Sequence, residues 1–256
     1  MRRTIRRLVT VIVGIAGIVT TPAAASDRDR GLLKLPAPGA WSRYHNIVLH
    51  GDKKVGDRAF VLKSLGAVKI DGTQCRWMES EYLEENASPK LFCRKFLIPE
   101  VALRMSEKPS DRIARFLERS DNNPVIRLAP EFWDRVPVDF LYLPGFLKSS
   151  DRVEAPKTIR HRTGTFEIPT AYEGRYRGWP KGLDPEKSTV FETRYRVWLH
   201  PDLPIGFAAA ELEVKVIQDG RGSSSASLEY SLEDFGEDAR PTIVEETVPG
   251  EKPAKN

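Results

Sequence analysis

Two cysteines and four histidines in 256 residues leave little material for thiol or metal chemistry. Neither Cys75 nor Cys93 has a CxxC partner or a nearby histidine, which a zinc site would need. His45 and His50 stand an odd number of residues apart on a predicted strand, so they point to opposite faces and cannot share an ion. His161 lies between Arg160 and Arg162, whose charges repel a cation, and His200 sits at a strand end before Pro201. The HExxH, GxSxG, Ser-x-x-Lys, GxGxxG and Walker A patterns are all absent. Glu84-Glu85 and Glu245-Glu246 fall in a turn and in the tail, where water denies them the raised pKa of a general acid. Glu79 and Glu81 share one face of a strand, and pairing with Lys or Arg across the sheet accounts for them. The expectation is no catalytic residue, no metal and no cofactor. An enzyme with scattered catalytic groups stays open.

Charge of one sign is also lacking once the first segment is set aside. The full chain has 40 Lys+Arg against 36 Asp+Glu, and the four excess positives are Arg2, Arg3, Arg6 and Arg7. From Ser26 onward the chain is formally neutral, with no basic block to follow phosphates, so nucleic acid is excluded as a partner. No long apolar run occurs past residue 25 either, so no transmembrane segment is expected beyond that point.

What is there begins with those arginines. They precede a mostly apolar run, Leu8–Val19, and Ala23-Ala24-Ala25 before Ser26, the three parts of a secretory signal peptide. A membrane anchor is the alternative, but about 12 apolar residues rise only ~18 Å, short of the ~30 Å hydrocarbon core. Export to the periplasm or beyond follows. With no cysteine before Cys75, a lipoprotein is not expected. The organisation reads as a signal peptide at 1–25, a lead-in at 26–40, and one β-rich domain at 41–235 with a helical and loop insertion around 106–150. A disordered acidic tail follows at 236–256.

The domain is expected to be mainly β (α+β), a large curved antiparallel sheet or unclosed β-barrel with a few helices packed on one side. Strands are predicted at Trp41–His50, Arg58–Lys69, Thr73–Tyr82, Lys90–Ile98 and Arg162–Arg175, with an Asp71-Gly72 turn. Three later segments alternate strictly. Phe191, Tyr195 and Val197 interleave with Glu192, Arg194 and Arg196; Leu212, Val214 and Val216 with Glu211, Glu213 and Lys215; Leu228, Tyr230 and Leu232 with Ser227, Glu229, Ser231 and Glu233. That period marks a meander with one buried and one wetted face. Ser110 is placed to cap a helix with Ile113, Phe116 and Leu117 on one side. If the hairpin after Thr73 turns near residue 84, Cys75 lies opposite Cys93 and a structural disulfide forms, as an oxidising compartment permits. Two separate buried thiols are the alternative.

Two segments are candidates for binding. Gly174–Gly182 reads as a flexible loop carrying Tyr176 and Trp179 among three cations, able to stack on a sugar or grip an anionic headgroup. Phe132–Phe146, with Trp133, Phe140, Tyr142 and Phe146, is too apolar for a solvated loop. It is a lid over the core or the wall of an apolar pocket.

Val197-Trp198-Leu199-His200-Pro201-Asp202-Leu203-Pro204-Ile205-Gly206 resembles the W-x-x-x-x-x-P-x-G step of periplasmic proteins related to the lipoprotein carriers LolA and LolB. Arg58–Trp77 is similar to the early meander of that superfamily. The resemblance implies an unclosed barrel covered by helices and holding acyl chains, and it carries over no individual ligand-contacting residue. Three readings follow: a non-catalytic exported protein binding an apolar or lipid-like ligand, a cell-envelope interaction domain with a filled core, and an envelope hydrolase with an unrecognised site.

Overall fold

A computed structural model of the chain describes residues 35–83, 91–105, 113–128, 150–178, 190–218 and 222–244. Strands dominate them. The first meander runs through β1 (Trp41–His50), β2 (Lys53–Ile70), β3 (Thr73–Leu83), β4 (Leu91–Pro99), β5 (Arg115–Ser120) and β6 (Ile126–Arg127), each antiparallel to the last. The second runs through β7 (Asp151–His161), β8 (Gly164–Gly178), β9 (Val190–Trp198), β10 (Ala209–Gln218) and β11 (Gly222–Gly236). β11 then pairs with β1, giving one sheet in the order β6-β5-β4-β3-β2-β1-β11-β10-β9-β8-β7. The unclosed antiparallel sheet is thus as expected. The described residues hold one short helix, α1 (Glu100–Met105), and most of the insertion expected to carry helices, 106–112 and 129–149, lies outside them. No helix among the described residues is long and apolar enough to cross a membrane.

Local chemistry explains the turns. Asp71 and Gly72 both have positive φ, at 47° and 81°, the backbone of a two-residue hairpin whose twist matches its strands. The segment expected as a helix after Ser110 is instead strand β5 from Arg115. Phe116 and Leu117 are adjacent and both fully buried, one in each of two separate apolar clusters. A strand sends neighbours to opposite faces, and here both faces are covered, so the apolar pair mimics helical spacing. β7, which the sequence reading does not mark, alternates: Val153, Ala155, Lys157 and Ile159 are turned inward, and Glu154, Pro156, Thr158 and Arg160 are exposed. It is an edge strand with Pro156 at a break in register between Glu154 and Lys157, a position where a missing N–H is tolerated.

Beyond that break the β7–β8 hairpin bends onto β9–β11. β8 pairs with β9 only from Tyr172 onward. The Trp198 indole donates to the Ala155 carbonyl at 2.8 Å, Lys157 Nζ to Glu211 at 2.5 Å, and the Arg162 amide to the Glu233 carbonyl at 2.8 Å. Phe166 is packed at the tip between His161, His200 and Phe235.

The larger core lies on one face of the sheet, from Phe96 and Phe116 through Phe60 and Tyr44 to Tyr230 and Tyr195. Tyr44 organises its centre. Its hydroxyl accepts the Phe207 amide at 3.2 Å and faces the Ile205 carbonyl, which also accepts from Ser42 at 2.7 Å. Burial drives the phenol far above its ordinary pKa, against the opposing hydrogen bonds, so it stays neutral. Gly206 passes directly over that hydroxyl with φ +82°; an added Cβ would lie 2.1 Å from it. Tyr44→Phe removes the acceptor while leaving the Phe207 N–H buried. Urea unfolding should show a loss of about 1–3 kcal/mol, and an unchanged midpoint would count against this role.

Candidate functional site

The bend of β7–β8 leaves an open groove of about 820 Å³ at its base, bounded by Asp151 and Val153 of β7 and by Ser227, Leu228 and Glu229 of β11. Its floor is the wetted face of β8–β11; Tyr195, Leu212 and Leu228, one residue out of step, turn their side chains to the core on the other face and offer the groove only backbone. On that core face the phenol end of Tyr195 lies 2.2 Å from an ideal Cβ at 174, which is why that position is glycine. Its hydroxyl meets Ser150 Oγ at 2.8 Å.

Rows of charge make up that floor. Arg194 and Arg196 on β9 stand in register with Glu213 and Glu211 on β10, and Arg196 also with Glu173 on β8. Arg196 bridges Glu173 and Glu211, the latter at 3.9 Å, while Arg194 reaches Glu213 at 3.8 Å. With these arginines half-exposed or more, each pair contributes little stability. The groove is therefore polar: cations and carboxylates that are free to exchange partners, with Val153 of β7 as its apolar contact.

A second polar cluster lies under β2–β4. Ligand atoms of Glu79, Glu81 and Cys93 come within 4.8 Å of one another, but the cation among them is the Lys63 ammonium, which donates to both carboxylates. Burial alone would lower the Lys63 pKa. The hydrogen bond and charge of Glu81, then of Glu79, outweigh it and hold the ammonium above its ordinary value. This is an ion-pair network rather than a vacant metal centre.

The expected disulfide does not form. The β3–β4 hairpin pivots near residue 87, not 84, so Cys75 faces Pro99 and Cys93 faces Glu81. Glu81 is six residues along β3 from Cys75, about 20 Å at ~3.3 Å per residue, far beyond disulfide reach. Both thiols are free and buried. Burial first, then the charges of Glu79 and Glu81, push the Cys93 thiol well above its usual range; burial and then Glu100 do the same, less strongly, for Cys75.

Of the predicted binding residues, Trp133, Phe140, Tyr142, Phe146 and Trp179 lie outside the described residues, as do the signal peptide and most of the lead-in. Tyr176 is not in a loop: its backbone pairs with Thr193 within β8–β9. The sequence reading missed the groove because its arginines and glutamates are the wetted half of an ordinary alternating strand. Only their matched signs in register distinguish them.

No protein-family model matches the chain, and no curated protein does. Two solved structures are similar at a low level. One is a protein from Bacteroides fragilis named for its presumed export and YmcC-like fold, 11% identical, with 78% of this chain and 97% of that one aligned at a TM-score of 0.31. The other is a presumed lipoprotein from Parabacteroides distasonis, 9% identical, covering 80% and 98% at the same TM-score of 0.31. Neither is named as a LolA or LolB carrier.

Two measurements test these placements. In denaturant without reductant, both thiols should titrate, and peptide mapping should show no Cys75–Cys93 link. The His200 ring, 3.8 Å from Phe166 and accepting the Asp202 amide, has its pKa lowered below 6.5 mainly by burial and also by His161, with Asp202 opposing. Above pH 6.5 the ring is neutral folded or unfolded. Below it the unfolded chain takes the proton first, so stability should fall as pH drops through the folded pKa. His200→Gln should flatten that part of the stability–pH curve, measured by urea midpoints between pH 7.5 and 5.

Proposed function

We propose that this is an exported, non-catalytic protein of the cell envelope that binds a lipid-like ligand with a charged head. The observation that carries the reading is the groove at the base of β7–β8, whose exposed arginines can exchange carboxylate partners for an anionic head. Arg175, Arg194 and Arg196 suit that head, while Val153 offers an apolar contact beside it. The volume of about 820 Å³ lies in the range of small-molecule sites, ~300–1,000 Å³. A bare hydrocarbon is disfavoured, since it would strip water from the flanking ions without replacing it.

One observation favours a second reading, an envelope interaction domain with a filled core. Tyr44, Phe60, Phe96 and Phe116 are all fully buried against their neighbours, so that part of the sheet has no room for a ligand. Native mass spectrometry of the mature protein, released gently from its own envelope, separates the two. The ligand reading expects a co-purifying amphiphile. It also expects Arg194→Ala/Arg196→Ala to weaken binding of a fluorescent anionic lysolipid roughly tenfold, about 1.4 kcal/mol. Ligand-free preparations and no lysolipid binding would leave the filled-core reading in place.

A further inference from the structure

The strand pattern gives β2–β4 a second face that ought to be wet, with Lys63, Glu79, Glu81 and Lys95 pairing across it. Yet Glu79 is 0% exposed and Glu81 and Lys95 are 7%. The cover is the chain's own C-terminal segment, which leaves β11 at Gly236 and is tied to the edge of β1 by the Trp41–Asp238 and Ala239–Gly39 hydrogen bonds.

We propose that this face is a peptide-binding groove whose ligand, in the free protein, is residues 240–244 of the same chain. Contacts of the seated segment are those of a recognition site. The two oxygens of Glu79 accept two consecutive amides, Thr242 at 2.9 Å and Ile243 at 3.0 Å. The Thr242 hydroxyl donates to Glu81 and accepts from Lys63 at 2.9 Å. Lys63 also donates to the Arg240 carbonyl at 3.2 Å, and Lys95 to the Ile243 carbonyl at 3.0 Å. Ile243 is fully buried in the cluster of Trp77, Leu97 and Leu117 with the two cysteines.

These contacts come from side chains standing on the sheet, not from a strand ladder, and they read main chain, one hydroxyl and one β-branched side chain. Each is charge-assisted, hence strong and directional. The segment follows β11 directly, buries Ile243 alone among its large apolar residues, and leaves Val244 65% exposed. A short tether holds such a ligand at an effective concentration of order millimolar, so a weak contact stays occupied in cis while remaining open to exchange. An extended segment of the same chemistry, threonine followed by a β-branched aliphatic residue, competes for the groove. This inference does not depend on the lipid-binding reading.

The test uses the full chain with Ile243→Asp, which removes the buried anchor, and a labelled synthetic peptide of residues 237–246. Fluorescence anisotropy should show the peptide binding the variant at least tenfold more tightly than the wild type, whose groove is filled. A peptide carrying Ile243→Asp should bind neither. No binding to a variant that still unfolds cooperatively would overturn the proposal. Should the variant not fold, hydrogen exchange on the wild type decides. The Thr242 and Ile243 amides should exchange at least tenfold faster than those of Glu79–Glu81, and equal rates would make the segment an inseparable part of the fold.

Discussion

Everything in this fold hangs on the pairing of β1 with β11, whose register matches Trp41–Leu49 to Gly236–Ser227. Each meander is local, built strand by strand from its own hairpins. The ladder between them joins residues nearly two hundred positions apart and makes one sheet from two. Its long closure carries an entropic cost that only shared burial offsets. Tyr44 on β1 and Leu232 on β11 face each other in that ladder, both fully buried, and the Tyr44 hydroxyl then ties in the turn after β9 through Phe207.

A sheet this wide has two faces, and the protein covers them by different means. On one, aromatic side chains from both meanders fill a continuous core. The other is covered in patches, by the bent β7–β8 hairpin over β9–β11 and by the C-terminal segment over β2–β4. Where a patch covers strands designed for water, charges end up buried. Lys63, Glu79 and Glu81 tolerate this because each has a partner of opposite charge and the segment supplies further hydrogen bonds. Where neither patch reaches, the uncovered strip becomes the groove along Arg194, Arg196, Glu211 and Glu213.

The strands were legible wherever only one face is covered. β1 matches its expected bounds, and β9, β10 and β11 follow the alternation of Tyr195/Arg194, Leu212/Glu213 and Tyr230/Glu229. Reading failed at β5 and β7. β5 looked helical because Phe116 and Leu117 serve different cores, and β7 went unmarked because Pro156 and Lys157 interrupt its apolar positions. The first residues of the expected tail, through Ile243, are packed on the sheet, and Thr242-Ile243-Val244 is too short a run to show a period that would have marked its burial. The cysteine pairing failed by a three-residue shift of one turn, because loop length sets register and composition does not.

By itself the sequence determined the class of the fold and most of its elements, because strand periodicity is a local property of side-chain spacing. Tertiary structure alone decided which strand edges meet, which charges are buried, and that two cysteines in adjacent strands never approach. It alone brought the start of β7 near β11 to bound a groove, and laid the C-terminal segment on Glu79. The reason is the same in each case: these contacts join residues far apart in sequence, and no local pattern encodes which distant surface a segment will find.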